Sequence, residues 1–329
     1  HGTRRLEVVT HVEPDVGGGR PCRERGADDD WCGGLTRPVS TLEDFHGGAV
    51  MADLRAVARR VLSENMGAVA DESLVVVTDT DKREIGRALF EAGADLDLEV
   101  GIVETPPMER SGMEPPAFVA AAMREADIVV APTSASLTHT RAREAATETG
   151  ARVATMPGIT ERMFGEGAIT ADYDEVERLT AALADRLTAA DEARIETGKE
   201  VLKMSLTDRK GIPSDGLIRK PGESGNLPSG EGYIAPVEDT AEGAIAFDGG
   251  LVGVGALDEP VIVRIESGSV TSVEGPSAEQ FLEATAGDDC ARQVGELGLG
   301  TNPAAEIIGT VLEDEKVYGT CHVAFGDNH

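Results

Sequence analysis

Aromatic side chains are scarce in this sequence. Phe, Trp and Tyr make up 3% of its 329 residues, and the only Trp is Trp31. Hydrophobic residues still reach 40%, so the core is expected to be built from Ala, Val, Leu and Ile. Cysteine is also rare. Cys22, Cys32, Cys290 and Cys321 are the four, and none forms a Cys-x-x-Cys pair, which argues against a structural zinc knuckle. Long apolar runs are missing: none reaches the roughly 18 residues of a membrane span. No segment at the start has the layout of a signal peptide, so the expected location is the cytoplasm. Lysine is the last shortage. Only Lys82, Lys199, Lys203, Lys210, Lys220 and Lys316 occur, and the net charge is −30. Nucleic acid, whose phosphates need Lys and Arg patches, is not an expected partner. Self-repulsion on this scale is tolerated where salt screens it, so a halophilic, high-salt cytoplasm is expected.

Two domains fit this length. Residues 1–50 do not resemble the rest. They contain GGGRPCRERGADDDWCGG, which has neither helical nor strand periodicity. They read as a disordered or non-native extension, with the native protein expected to start at Met51. Cys22 and Cys32 with His11 and His46 match no zinc pattern. From Met51 the sequence alternates strand and helix. LVVVTDT, LEVGIVET, ADIVVAPT and ARVATMPG read as buried parallel strands. Helical segments with apolar faces separate them, including one over REIGRALFEAGADL and one opened by Pro115 or Pro116. This predicts an α/β domain over 51–206 with an open, doubly wound parallel sheet. Ligands of such sheets sit at the carboxyl ends of the strands, which here carry Thr78, Asp79, Thr80, Thr133 and Ser134. No Gly-x-Gly-x-x-Gly follows the first strand, so a nucleotide fingerprint is absent. His139 falls in the first turn of its expected helix. Residues 172–208 read as one long connector helix, with Val176, Leu179, Leu183 and Leu187 in register.

An α+β domain with antiparallel strands is expected over 207–329. Its signals are a loop-rich start, the strand AEGAIAFDG, a hairpin turning at Ser267-Gly268 and a helix over SAEQFLEATAGDDCARQV. Three blocks stand out by residue type: PSGEGYIAP, GELGLGTNP and EDEKVYGTCHVAFGDNH. Each sets a carboxylate or imidazole beside glycine-rich backbone that a ligand can approach closely. Carboxylates and imidazoles converging from strand ends are the donors a divalent metal needs. Singly, each block also has a plain reading. Glu231 suits a surface loop, Glu296 a strand end, His322 a satisfied core position and Cys321 a small buried hydrophobe.

Taken in order, NLPSGEGYIAP, ELGLGTNP and DEKVYGTCHVAFGDN resemble the metal-dependent aminopeptidases of the aminopeptidase T and S type. They also resemble the shorter relatives of those enzymes, which include the 2,5-dihydroxypyridine 5,6-dioxygenases. The resemblance runs from Met51 to the end. It implies two divalent metals held by two Glu, a His and a later His-x-Asp pair. The first Glu falls on Glu231, the second on Glu296 and the His on His322. A Tyr seven residues beyond that His is replaced by His329. The His-x-Asp pair would lie further on, so the resemblance implies a chain truncated by about one strand. It also implies a homodimer.

The activity so implied is an aminopeptidase removing N-terminal residues from small peptides. Zn, Co or Mn would lower the pKa of a bound water, with Glu231 or Glu296 as general base. The alternative is a mononuclear non-haem Fe(II) dioxygenase opening a hydroxylated pyridine. Glu315 is expected either to orient His322 or to pair with Lys316 at the surface.

Overall fold

Residues 6–11, 54–286 and 289–326 are described by the computed structural model. The described chain opens with β1 (Leu6–His11) and α1 (Leu54–Arg60), which runs into a π-helical turn at Val61–Asn65. A regular alternation follows: β2 (Ser73–Asp79), α2 (Arg83–Asp95), β3 (Glu99–Thr105), α3 (Ala117–Arg124), β4 (Ile128–Thr133), α4 (Arg141–Glu148) and β5 (Arg152–Pro157). These strands pair in parallel in the order β3-β2-β4-β5. Consecutive apolar positions along β2 and β4 are explained by cover on both faces. Leu74, Val76, Ile128 and Val130 pack with Ile85 and Leu89 of α2 on one side. Val77, Val129 and Ala131 pack with Val119 and Met123 of α3 and Ala146 of α4 on the other. The sheet is thus doubly wound, and its strand order reverses between β2 and β4. At that point Asp79 closes the crevice, accepting hydrogen bonds from the Ser134 backbone N–H (2.5 Å) and hydroxyl (3.1 Å).

Helix α4 is capped by Thr140, whose side chain accepts from the Arg143 backbone N–H. His139 therefore precedes the helix rather than lying in its first turn. After α5 (Glu161–Glu166) comes α6 (Tyr173–Ala189). Val176 of α6 lies in the first core, while Leu187 lies in a second one with Ile234, Leu297, Val323 and Phe325. The connector helix ends at Ala189 instead of running to 208. Beyond Leu187 the apolar period changes from helical to alternating: Ile195, Leu202 and Met204 are buried along β6 (Glu192–Thr197) and β7 (Glu200–Ser205). These strands form a hairpin turning at Gly198, where φ is +61°.

The remaining strands are β8 (Ile212–Ser214), β9 (Ser224–Asn226), β10 (Glu231–Ile234), β11 (Glu242–Phe247), β12 (Gly250–Leu251), β13 (Gly255–Ala256), β14 (Val261–Glu266), β15 (Ser269–Glu274), β16 (Val294–Gly300) and β17 (Thr320–Phe325). Helices α7 (Ala278–Ala284) and α8 (Val311–Asp314) are interspersed. The expected Ser267-Gly268 turn is present, with both residues at positive φ, as a two-residue hairpin of the primed type requires. Two antiparallel sheets result, ordered β15-β14-β11-β7-β6 and β13-β12-β1-β17-β16-β10-β8.

The 206/207 line does not separate the sheets. β6 and β7, before it, belong to an antiparallel sheet, and β9, after it, pairs in parallel with β5. Within residues 1–50, expected as an extension, Leu6–His11 instead form β1, which pairs with β17 along its length, Val9 opposite His322. The β-branched run in LEVVTH suits a strand, and it covers an edge of β17 that would otherwise be open. The rest of that segment, with Cys22, Trp31, Cys32 and His46, lies outside the described residues, as does His329. Among the described residues no helix is long and apolar enough to cross a membrane.

Candidate metal centre

The centre is built on one face of β10, β16 and β17. Strand side chains alternate between faces. In β16, Leu297 and Leu299 therefore point to the apolar core while Glu296, Gly298 and Gly300 share the opposite face. Register places Gly300 opposite Glu231, and Gly298 opposite His322. The two glycines leave a bare floor along the middle strand, over which side chains from both neighbours converge. A Cβ on Gly298 would lie 2.2 Å from Cε1 and Nε2 of His322, so the imidazole rests directly on that backbone. Gly298 serves a second strand rather than a ligand, and Gly300 makes room for the segment between α8 and β17, where a Cβ would meet the Val317 carbonyl oxygen at 2.0 Å.

Glu231, Glu315 and His322 each offer a ligand atom, and these atoms lie within 4.8 Å of one another. Glu231 Oε2 is 3.2 Å from His322 Nε2, and Glu296 Oε1 is 3.7 Å from the same nitrogen. The site residues expected from sequence, Glu231, Glu296, Glu315 and His322, are thus brought together. Glu315 stands inside the cluster rather than behind it, and Glu296 stands at its side.

Lys316 is what the sequence reading missed. Its side chain is fully buried, and Nζ donates to Glu231 Oε1 at 2.6 Å and also to Glu315. The expected surface pair between Glu315 and Lys316 is in fact an interior one. The only sequence signal was an acidic-acidic-basic run entering a buried strand, which looks the same on any exposed turn.

Burial pushes the Glu231 carboxyl above its ordinary range; Lys316 opposes this most strongly, while Glu315 and Glu296 add repulsion. Burial alone would lower the His322 pKa, but Glu296, Glu231 and Glu315 outweigh it and raise it. The same balance holds Lys316 charged: burial works against the ammonium, and Glu231 and Glu315 prevail.

Two atoms facing one another, Glu231 Oε2 and His322 Nε2, are buried without a hydrogen-bond partner. Such atoms are costly unless something occupies the space between them. Carboxylate oxygens with one imidazole nitrogen form a donor set that suits Fe, Mn, Co or Zn. The residues therefore fit a divalent metal. Cys321, next in sequence to His322, points into the apolar core; burial pushes its thiol up to about 12, which leaves it inert as a ligand.

The cluster opens into a cavity of about 1270 Å³ that also reaches the carboxyl end of the parallel sheet. Glu231, Glu296 and Glu315 line one part, and His139, Arg143, Thr155 and Asn226 line another. Asn226 Oδ1 accepts from the Thr138 and Thr155 hydroxyls at 3.1 and 2.7 Å. Arg143 is anchored by donation from Nε to the Thr138 carbonyl at 2.9 Å.

A doubly wound parallel sheet and antiparallel sheets thus carry one buried cluster of carboxylates and an imidazole of the kind that holds a divalent metal. The family described as NicX, 2,5-dihydroxypyridine 5,6-dioxygenase, matches residues 53–328, and the chain belongs to that family. Among solved structures, it is similar to the 2,5-dihydroxypyridine dioxygenase of Pseudomonas putida KT2440 at 18% identity, covering 82% of this chain and 91% of that one, with a TM-score of 0.68. It is also similar to wild-type AmpT from Thermus thermophilus at 17% identity, covering 83% and 85%, with a TM-score of 0.60. At these identities the likeness establishes the fold. No curated protein matches the chain.

Proposed function

We propose that this protein is a mononuclear metal-dependent dioxygenase that opens the ring of a hydroxylated pyridine. The observation that carries this reading is the single cluster of Glu231, Glu315 and His322. Among the described residues it offers ligands converging on one point, which suits one ion. The family match across most of the chain supports the same chemistry. The two-metal aminopeptidase expected from sequence becomes the second reading. It is favoured by Glu296, a carboxylate 3.7 Å from His322 that would serve as a base for water.

Ferrous iron, bound by Glu231, Glu315 and His322, would supply the reactivity towards dioxygen. The other roles belong to the protein. Glu296 faces the cavity beside His322 and takes the proton from a ring hydroxyl, raising the electron density of the ring. Asn226, its Oδ1 already engaged by two hydroxyls, offers amide N–H groups to a ring oxygen or nitrogen. Arg143, held at Thr138, offers its terminal N–H groups to an oxyanion on the substrate. Lys316 and His322 are fully buried behind the cluster, so water can approach it only from the cavity side. Dioxygenation is balanced without a reductant, since one ring C–C bond breaks and both oxygen atoms enter the product.

The test pairs two assays on one preparation. Protein loaded anaerobically with Fe(II) is mixed with 2,5-dihydroxypyridine and air, and oxygen uptake is followed. Protein loaded with Zn, Mn or Co is given leucine amide. Equimolar uptake of oxygen and loss of the pyridine is the expected result. Hydrolysis of the amide without oxygen uptake would establish the peptidase, and neither turnover would sink both readings.

A further inference from the structure

We propose that Lys316 is a built-in cation that fixes this centre at one divalent ion per chain. The proposal rests on the metal reading above and concerns only how many ions the site accepts. Lys316 lies within the carboxylate cluster, with none of its side chain exposed. Its Nζ takes one oxygen of Glu231, at 2.6 Å, and an oxygen of Glu315. The other oxygen of Glu231 is left for the gap shared with His322. Glu231 is thereby divided: Oε1 serves the ammonium and Oε2 serves the metal.

The ammonium cannot leave to make room for a second ion. The backbone at 316–317 is pressed against β16, where a Cβ on Gly300 would lie 2.7 Å from the Lys316 carbonyl carbon. That backbone is also tied by hydrogen bonds from Lys316 N to the Glu313 carbonyl (3.0 Å) and from Asn302 N to the Lys316 carbonyl (2.9 Å). A buried cation with its stem enclosed stays where its backbone puts it.

Charge balance then sets the stoichiometry. Three carboxylates, Glu231, Glu296 and Glu315, supply −3, and Lys316 supplies +1, leaving −2 for a neutral imidazole at His322. One divalent ion neutralises that remainder. A second would leave an excess of +2 among side chains that are themselves buried, where unpaired charge is strongly disfavoured. It would also have to share the carboxylates with a resident ammonium.

The measurement is uptake of Mn²⁺ alone, by elemental analysis after desalting and by calorimetric titration. The native chain should take up one ion. Lys316→Gln should take up a second, or bind the first about tenfold more tightly or better, whereas Lys316→Arg should keep one ion. Thermal melts establish that each variant is folded. If Lys316→Gln does not fold, the native ratio and Lys316→Arg still decide. Two ions in the native chain, no ion at all, or a folded Lys316→Gln with one ion at unchanged affinity would each overturn the proposal. The outcome is separable from the proposed activity: one bound ion without oxygen uptake removes the dioxygenase reading and leaves Lys316 in its role.

Discussion

Replacing Gly298 by alanine adds a single methyl group, yet it strikes the centre of the site. The new Cβ would sit 2.2 Å from Cε1 and Nε2 of His322 and 3.1 Å from Cδ2. Ordinary contacts are about 3.5–4.0 Å, so the ring must retreat by more than about 1 Å or the two strands must part. Retreat is blocked, because His322 is fully buried and Glu231 Oε2 already lies 3.2 Å from Nε2. Overpacking of this kind costs about 1–3 kcal/mol, or a fall in Tm of roughly 2–4 °C for each kcal/mol in a chain of a few hundred residues. The effect on metal should be greater. Ligand distances are held to about 0.2 Å in a working site, and a ring moved by ~1 Å no longer reaches, so affinity for Mn²⁺ should fall about tenfold or more. Gly101→Ala is the control: it too lies in a strand, β3, and its Cβ would meet nothing within 4 Å. That variant should stay within about 0.5 kcal/mol of native stability. Native stability and native Mn²⁺ affinity in Gly298→Ala would refute the account of the bare floor.

Glu296→Gln should leave the fold and the metal content largely intact and lower turnover about 10²–10⁴-fold; retained turnover at full metal loading would remove Glu296 from the site. Glu313, buried in α8 with Oε1 accepting from the Ala168 backbone N–H, has its carboxyl pushed up to about 7 by burial. The folded protein then binds this proton more tightly than the unfolded chain, so the contribution to stability is complete below about pH 4.5 and lost as pH rises through 7. It amounts to on the order of 3 kcal/mol. Urea titrations at pH 5 and 8 should show the difference shrink in Glu313→Gln, and an unchanged slope would remove Glu313 as its source. The net charge of −30 should make Tm higher in 3 M than in 0.1 M KCl; equal values would dismiss the high-salt expectation.

The parallel sheet was legible because β2 and β4 are buried on both faces, and that leaves continuous apolar runs in the sequence. The Ser267-Gly268 turn was legible because its geometry demands particular residues. The end of α6 was not, since the apolar positions up to Leu187 give no notice that the next ones alternate. Glu231, Glu296 and His322 were visible through the resemblance of their blocks, not through spacing. Lys316 was invisible because its partner Glu231 lies 85 positions away, and no local pattern distinguishes a buried lysine from an exposed one. The glycines of GELGLGTNP read as backbone that a ligand can approach closely; the purpose of Gly298 depends instead on a register that sets it opposite His322.

The return of β9 to the parallel sheet, between β8 and β10 of another, stitches the molecule across its own middle. The described residues, β1 included, belong to one compact unit, and cutting a single loop would leave both pieces held by strand pairing on each side. A nicked chain should therefore remain assembled until it unfolds. The same stitching removes the usual means of opening a cleft, a hinge crossed by one or two strands of chain. Access to Glu296 and the cavity beyond must be controlled by side chains and loops at the mouth, while the walls behave as a stiff frame.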